Sequence, residues 1–550
     1  MRPIVRSFGW LVLLALAATR TERGARADDV PEITIDADDV VVTASTRVKP
    51  GTYRVIDANG DGVIHVRGKG VRLDLTGVTL DGAAAGADAS NFAGIGVSVE
   101  GGNGIHLVGG RARGFRVGLR AQASTALVVT AFDGSHNRRD HLKSTPEAED
   151  GGDWLWPHEN DEGQWEARYG AGISLTDCEA ATIDGCAAHH GQNGLLLAGC
   201  NTATIQSNDF SFNSGWGVAL WRTSHGTVRG NRCDFCVRGY SHGVYARGQD
   251  SAGFLVFEQC SDNLFASNSA THSGDGFFLF AGNETLKTTG KGGCNRNRVV
   301  RNDFSHAVAN GIEATFSDGN VFDENVLKDC DHAVWAGYSM NTTIAKNRIE
   351  TCANGVSIEH GTGNIVYDNE IRSCGVGVHL WWDEDKDLFD SAFGKAHPRA
   401  PSSRNVISSS RFDDCTTALH LEGDVACNVR GNGFRDYEIA IHLSGARDLR
   451  RRRARARRRQ GGARRLDVAW PEKCRRGHRP HLRRARAPRR ALRTRRLRDT
   501  SIERRTHAGP PLGTASVTGC EGKRLGSRSN PLVSGTFSIR ASGRVDTQMG

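Results

Sequence analysis

Between Arg238 and Asp250 the chain reads Arg-Gly-Tyr-Ser-His-Gly-Val-Tyr-Ala-Arg-Gly-Gln-Asp, which gathers an imidazole (His242), a phenol (Tyr245) and a guanidinium (Arg247) in one short run. Two carboxylates follow, Asp275 just before a glycine and Glu313 two residues after one. These residue types support two chemistries. Removing the C5 proton of a uronate needs a base, His242 or Tyr245, and a cation such as Arg247 to neutralise the substrate carboxylate. Hydrolysis of a glycosidic bond needs instead two carboxyl groups ~5 to 9 Å apart, for which Asp275 and Glu313 are the candidates. Both remain open at the level of sequence.

A second set of residues recurs at fixed offsets from a glycine. Two positions after it come Phe278, Glu313 and His379, with Trp335 in the same place after Ala333; four positions after it come Trp221, Phe280, Glu359 and Trp381. Rings at repeating positions form stacking platforms for sugars, and interspersed carboxylates bond hydroxyl groups. Trp221, Phe278, Phe280, Trp335, Glu359, His379 and Trp381 are therefore the candidate substrate-binding residues, expected on an outward, exposed groove.

The elements that must position these groups follow from a repeat. The second Asn of an Asn-x-apolar-x-x-Asn-x-apolar block falls at 302, 325, 347 and 369, a step of 22 or 23 residues. Each block is followed by a strand of the form Gly-apolar-x-apolar, as in Gly311-Ile-Glu-Ala and Gly355-Val-Ser-Ile. Period-two alternation puts one side chain inside and the next outside. So short a coil cannot bury its apolar side alone, but coils stacked ~4.8 Å apart share one core. The expected fold is all-β, a single-stranded parallel β-helix solenoid over 28–445. Loop insertions are expected near 138–170, 249–261, 282–293 and 383–403, where the register breaks. Twelve of the 14 cysteines lie between 178 and 427 and several keep the same beat, which reads as a ladder of buried thiols.

Charge divides the chain in two. Residues 446–550 carry 31 Lys+Arg against 7 Asp+Glu, leaving 40 against 55 in the first 445. The formal net charge of +9 thus belongs to the tail, and a nucleic-acid partner is not expected of the acidic repeat. The Arg-rich tail breaks off inside a rung, and reads as disordered or as the product of a frame shift. Residues 1–27 read as a secretory signal, with Arg2 and Arg6 ahead of the apolar run Phe8–Ala18 and Ala25-Arg26-Ala27 before Asp28. No apolar run is long enough for a membrane span. An exported, periplasmic or extracellular monomer is expected. No His-x-x-x-His pair stands out, so no metal ligands are assigned; a bound Ca²⁺ is the one cofactor kept open.

With its Asn-x-apolar rungs and Gly-apolar-x-apolar strands, the region from about 60 to 445 resembles the right-handed parallel β-helix, pectate-lyase-like superfamily, and within it the carbohydrate-binding and sugar-hydrolysis type repeats. The resemblance implies right-handedness, a groove along one sheet and a polysaccharide partner. Neither the Asn-x-Asp, Asp-Asp and Gly-His-Gly set of the polygalacturonases nor the Asp-Pro-His-Asp motif of the alginate epimerases is present; Arg139-Asp140-His141 comes nearest to the latter. The expected function is an exported polysaccharide lyase or glycoside hydrolase, with a non-catalytic glycan- or surface-binding β-helix as the alternative and periplasmic metal handling behind both.

Overall fold

The structure is a computed structural model that describes residues 30–288, 293–385, 392–396, 402–423 and 427–444 together with the strand 464–468. The expected leader, and all of the basic tail except that strand, lie outside the described residues.

The coil has three sides. One is a sheet of 15 parallel strands running from Val40–Val42 to Ile439–Ser444. A second row passes through Val128–Thr130, Thr182–Asp184 and Thr343–Ala345 to Asn428–Arg435. The third begins with Gly51–Arg54, Val78–Asp81 and Arg111–Arg113, thins to single bridges from Asp133 to Asp303, and resumes as strands at Val326–Lys328. Val334 pairs with Val356 and Val356 with Val378, a rung of 22 residues.

Alternation decides what enters the coil. Val356, Ile358, Val366 and Ile371 point inward and are at most 1% exposed. The glycine that opens each long strand also points inward and meets the third row: a Cβ on Gly276 would lie 2.5 Å from Phe304 Cβ. All twelve cysteines of the described residues are free and buried, and the Cys178 N–H donates to Cys200 Sγ at 3.4 Å, as the ladder reading expects.

Polar stacking fixes the register. The backbone N–H and Nδ2 of Asn208 both donate to Asn231 Oδ1, and the pattern repeats from Asn231 to Asn268, Asn302, Asn325, Asn347 and Asn369. Each amide also bonds a backbone carbonyl of the coil interior, as Asn347 Nδ2 does with Phe322 O at 2.9 Å. The residue before each of these asparagines takes a left-handed conformation; φ is 57° at Arg301 and Glu324 and 50° at Lys346.

Two expectations about the insertions need correction. In the rung after Trp216–Trp221 the sheet strand is Ala252–Phe257, so the excursion runs over 238–250 and not 249–261. Gly243-Val-Tyr-Ala-Arg247 imitates the strand motif but is a turn, with Ser241 and Tyr245 bridged to each other. The cause is the inward pair: Phe254 and Val256 are fully buried, whereas Val244 is 51% exposed. The excursions near 138–170, 282–293 and 383–403 carry the helices Gln164–Tyr169, Asn283–Thr288 and Ala392–Ala396. The one described tail strand, Arg464–Val468, runs antiparallel to Asn428–Arg435.

Replacing Asn347 with Ala removes an acceptor used by both the N–H and the side chain of Asn325, leaving buried donors unpaired. A loss of about 2–4 kcal/mol is expected, read as a lower urea midpoint with coincident fluorescence and circular-dichroism transitions.

Candidate functional site

The outward face of the 15-stranded sheet is not open along its length. Trp221, Phe278 and Phe280, expected to line an exposed groove, are at most 3% exposed. They form a second apolar cluster with Leu155, Trp165, Trp216, Phe257, Leu286 and Phe393, several of them from the excursions. Trp165 lies 4.8 Å from Trp216 and 5.3 Å from Trp221, and Trp221 Nε1 donates to Asp161 Oδ1. The groove is roofed here because large outward apolar side chains drew the 138–170 segment down onto them.

Arg238 ties that roof to the coil. Its guanidinium donates to Asp140 O, His141 O and Ser214 Oγ and pairs with Asp153 at 3.1 Å, both side chains being nearly inaccessible. Asp153 in turn accepts the backbone N–H groups of Lys143 and Ser144. Hydrogen bonds from those amides and the Arg238 charge more than offset burial and hold the Asp153 carboxyl below its usual range. A 390 Å³ cavity beside Arg238 opens toward Phe212 and Phe235, on a different side from the outward acids described next.

At the roof's edge three carboxyl groups meet. Asp275 and Glu313 stand on adjacent rungs and Asn310 joins them: its N–H donates to Asp275 Oδ1 and its Nδ2 to Glu313 Oε2, both at 2.8 Å. The third is Asp250, delivered by the 238–250 excursion. Gly248, Gln249 and Asp250 are three consecutive left-handed residues, φ 65°, 54° and 58°. Two of them lack glycine's freedom, and such strain concentrates where a site needs a group in one place. Burial raises the Asp250 carboxyl to about 7 against the pull of Arg247. Burial likewise raises Asp275 and raises Glu313 strongly, with the neighbouring acids adding to it. Arg247, stacked 4.9 Å over Trp154, is the cation whose charge opposes all three shifts.

Of the five residues expected to be catalytic, the structure brings together Arg247, Asp275 and Glu313. His242 is exposed, its Nδ1 bonded to the Tyr240 hydroxyl at 3.1 Å. Tyr245 is 6% exposed and belongs to the 241–245 turn, not to an outward strand position. Asp250 was not singled out by spacing, although it ends the run that supplied the other candidates.

Beyond the roof the face stays closed at Glu313, Trp335 and Ser357, contrary to the exposed groove expected for Trp335, and opens only toward Glu359, His379 and Trp381. Trp335 and Trp381 lie 5.3 Å apart, and Trp381 Nε1 donates to Glu359 Oε1, whose carboxyl burial raises to about 7. Trp381, Glu359 and His379 are partly exposed; Trp335 is 5% exposed. Buried polar atoms without hydrogen-bond partners follow one another along this stretch: Asn310 Oδ1, Glu313 Oε1, Thr315 Oγ1, Trp335 Nε1 and Ser357 Oγ. Groups of this kind cost about 1–3 kcal/mol each when left unpaired and mark a place that water or a ligand completes.

Metal-ligating residues also converge in ways that sequence spacing hid. Ligand atoms of His379, His420 and Glu422 lie within 4.8 Å of one another, as do those of Asp39, Asp61 and His65 and those of Glu359, His360 and Asp383. A solenoid brings together residues one rung apart, whereas a motif search along the chain looks one helical turn away. The Asp57-Ala-Asn-Gly-Asp-Gly62 run has the opening spacing of a calcium loop, but Gly68 stands where the bidentate Glu would be. Both Asp57 oxygens are already taken by the N–H groups of Gly60 and Ile95.

Two family models match the chain. One, described as a right handed beta helix region, matches residues 165–291, and the other, described as periplasmic copper-binding protein (NosD), matches 246–395. Together with the parallel rows these findings make the fold a right-handed parallel β-helix. No curated protein matches. Among solved structures, the A-module of the Azotobacter vinelandii mannuronan C-5 epimerase AlgE6 is 13% identical with a TM-score of 0.37, covering 73% of this chain and 90% of that one. DFA-IIIase from Arthrobacter chlorophenolicus A6 is 12% identical with a TM-score of 0.32, covering 68% and 84%. PfbA, a surface adhesin of Streptococcus pneumoniae, is 9% identical with a TM-score of 0.30, covering 73% and 85%.

Two outcomes are expected. Asp250 ionises less readily folded than unfolded, so its contribution to stability is complete below the unfolded pKa near 4 and is lost as pH rises through about 7. Thermal melts of Asp250→Asn should therefore change less between pH 5 and 8 than those of the parent. Arg238→Met leaves Asp153 buried and unpaired, so limited proteolysis should nick the 138–170 segment while the Asn-laddered coil stays protected.

Proposed function

We propose that this protein is an exported glycan-active enzyme that hydrolyses a glycosidic bond where the roof ends, with Asp275 and Glu313 as the reacting pair. The observation that carries the reading is the single residue, Asn310, that holds both buried carboxyl groups beside a run of unpartnered polar atoms. Sugar hydroxyls are both donors and acceptors, so they suit the mixed set from Asn310 Oδ1 to Ser357 Oγ. Trp335 and Trp381 supply apolar ring surface, with Glu359 at its rim and His379 on the same open stretch. Trp221, Phe278 and Phe280 shape the roofed end and do not touch the glycan.

The division of labour follows from the environments. Glu313 is the group burial keeps protonated, so it gives its proton to the departing sugar oxygen. Burial raises Asp275 to about 7 against the Asn310 N–H, less than it raises Glu313, so Asp275 is the readier of the two to ionise and to attack or stabilise the anomeric carbon on the opposite side. Arg247 and Asp250 set the balance of charge around the pair. The position of His242 in an exposed turn favours hydrolysis over elimination. A family model described as periplasmic, matched over 246–395, supports export.

The low exposure of Glu313, 5%, favours as a second reading a non-catalytic glycan reader. Glu313→Gln and Asp275→Asn separate the two. The enzyme reading expects each to bind glycan normally, in affinity electrophoresis, while reducing-end release falls by about 10²–10⁴-fold. If turnover is unchanged in both, or the parent binds without turnover and Trp335→Ala and Trp381→Ala abolish binding, the reader replaces it.

A further inference from the structure

On the open end of the same face, three imidazoles occupy one register on consecutive rungs. His379 pairs with His420 and His420 with His442 in the sheet. Their rings stack in parallel, 4.3 Å apart with an interplanar angle of 0° for the first pair and 4.5 Å and 16° for the second. Glu422, two residues beyond His420, turns its carboxylate toward the same edge, Oε2 lying 3.9 Å from His420 Nε2. Ser444 Oγ is 3.3 Å from that nitrogen.

His379 Nε2 is buried without a hydrogen-bond partner. Among the described residues no carboxylate bonds that nitrogen. Two imidazoles and a carboxylate whose ligand atoms converge form a donor set for a borderline divalent ion. Ca²⁺, which takes oxygen ligands, does not fit it.

We infer that His379, His420 and Glu422 form a binding site for a divalent transition-metal ion of the Zn²⁺ or Cu²⁺ class, with His442 and Ser444 beside its open position. The ligand atoms lie within 4.8 Å of one another, and metal–nitrogen bonds of ~2.0–2.1 Å draw two ligand nitrogens to about 3.3 Å in a tetrahedral site. Small side-chain rotations that end the parallel stacking achieve this. Trp381, stacked 4.3 Å from His379, is the built-in reporter. The site neighbours the glycan groove without sharing the Asp275–Glu313 pair, and it stands whether or not that pair is catalytic.

The test is titration of the chelator-treated full-length chain with Zn²⁺ against a chromophoric competitor, and with Cu²⁺ while following tryptophan emission. The parent should hold one ion more tightly than any other and lose emission in step with that first equivalent. His379→Gln with His420→Gln should remove this equivalent and its quenching. Glu422→Gln, at a half-exposed side chain that the fold does not need, should weaken it at least tenfold with an unchanged melting temperature. His306→Gln, in a separate exposed ring stack, should leave it intact. Equal stoichiometry and affinity in the parent, Glu422→Gln and the double variant, or no ion held by the parent, would overturn the assignment.

Discussion

The molecule depends on one constraint: each coil must lie on the next in parallel, in register, with every buried polar group matched. Backbone ladders alone would permit slippage, because parallel pairing is much the same at any offset. The asparagine column removes that freedom, since each Asn offers its Oδ1 to the N–H and Nδ2 of the Asn one rung before. A slip of one residue would bury unpaired amides along the whole column and turn Val356, Ile358 and their counterparts outward. Left-handed corners at Arg301, Glu324 and Lys346 are the conformational cost of aiming those amides.

A rigid register makes positions on the outer face equivalent to addresses. Asp275, Glu313, Trp335, Ser357 and His379 are far apart in the chain, yet they fall on successive or neighbouring rungs of one surface. Where the outer side chains are large and apolar, from Trp216 to Phe280, excursions fold down and bury them. Past them the face opens only from Glu359, His379 and Trp381 onward. The acids meet at this transition, low enough in dielectric for their protonation states to separate and close enough to the open stretch for a ligand to reach them. The left-handed Gly248–Asp250 segment brings a third carboxyl group to the same place.

The coil was legible in the chain because its signal is a count: an Asn every 22 or 23 residues is visible without any contact. Glu313 and Asp275 were legible for the same reason, as positions counted from a strand glycine. Arg247 lies near the acids from the end of a turn, not from the outward strand position that spacing suggested. What escaped was set by long-range packing. Nothing near Trp221 or Phe280 announces that residues 155 and 165 will cover them. The false rung at Gly243 arose because alternation over five residues cannot compete with Phe254 and Val256 for the interior. His379 and His420 count to the same outward position, but a search for His-x-x-x-His ligands passes over them because they are 41 residues apart, separated by the 383–403 excursion.

The account stands or falls on what the outward acids do. Incubating the parent protein with a panel of neutral and acidic polysaccharides, while following reducing ends and the ultraviolet absorbance of unsaturated products together, addresses this directly. Hydrolysis by the Asp275–Glu313 pair predicts new reducing ends with no unsaturated product on at least one polysaccharide. Unsaturated products would mean elimination by a different set of groups, and a panel that yields neither would contradict the catalytic reading of the site.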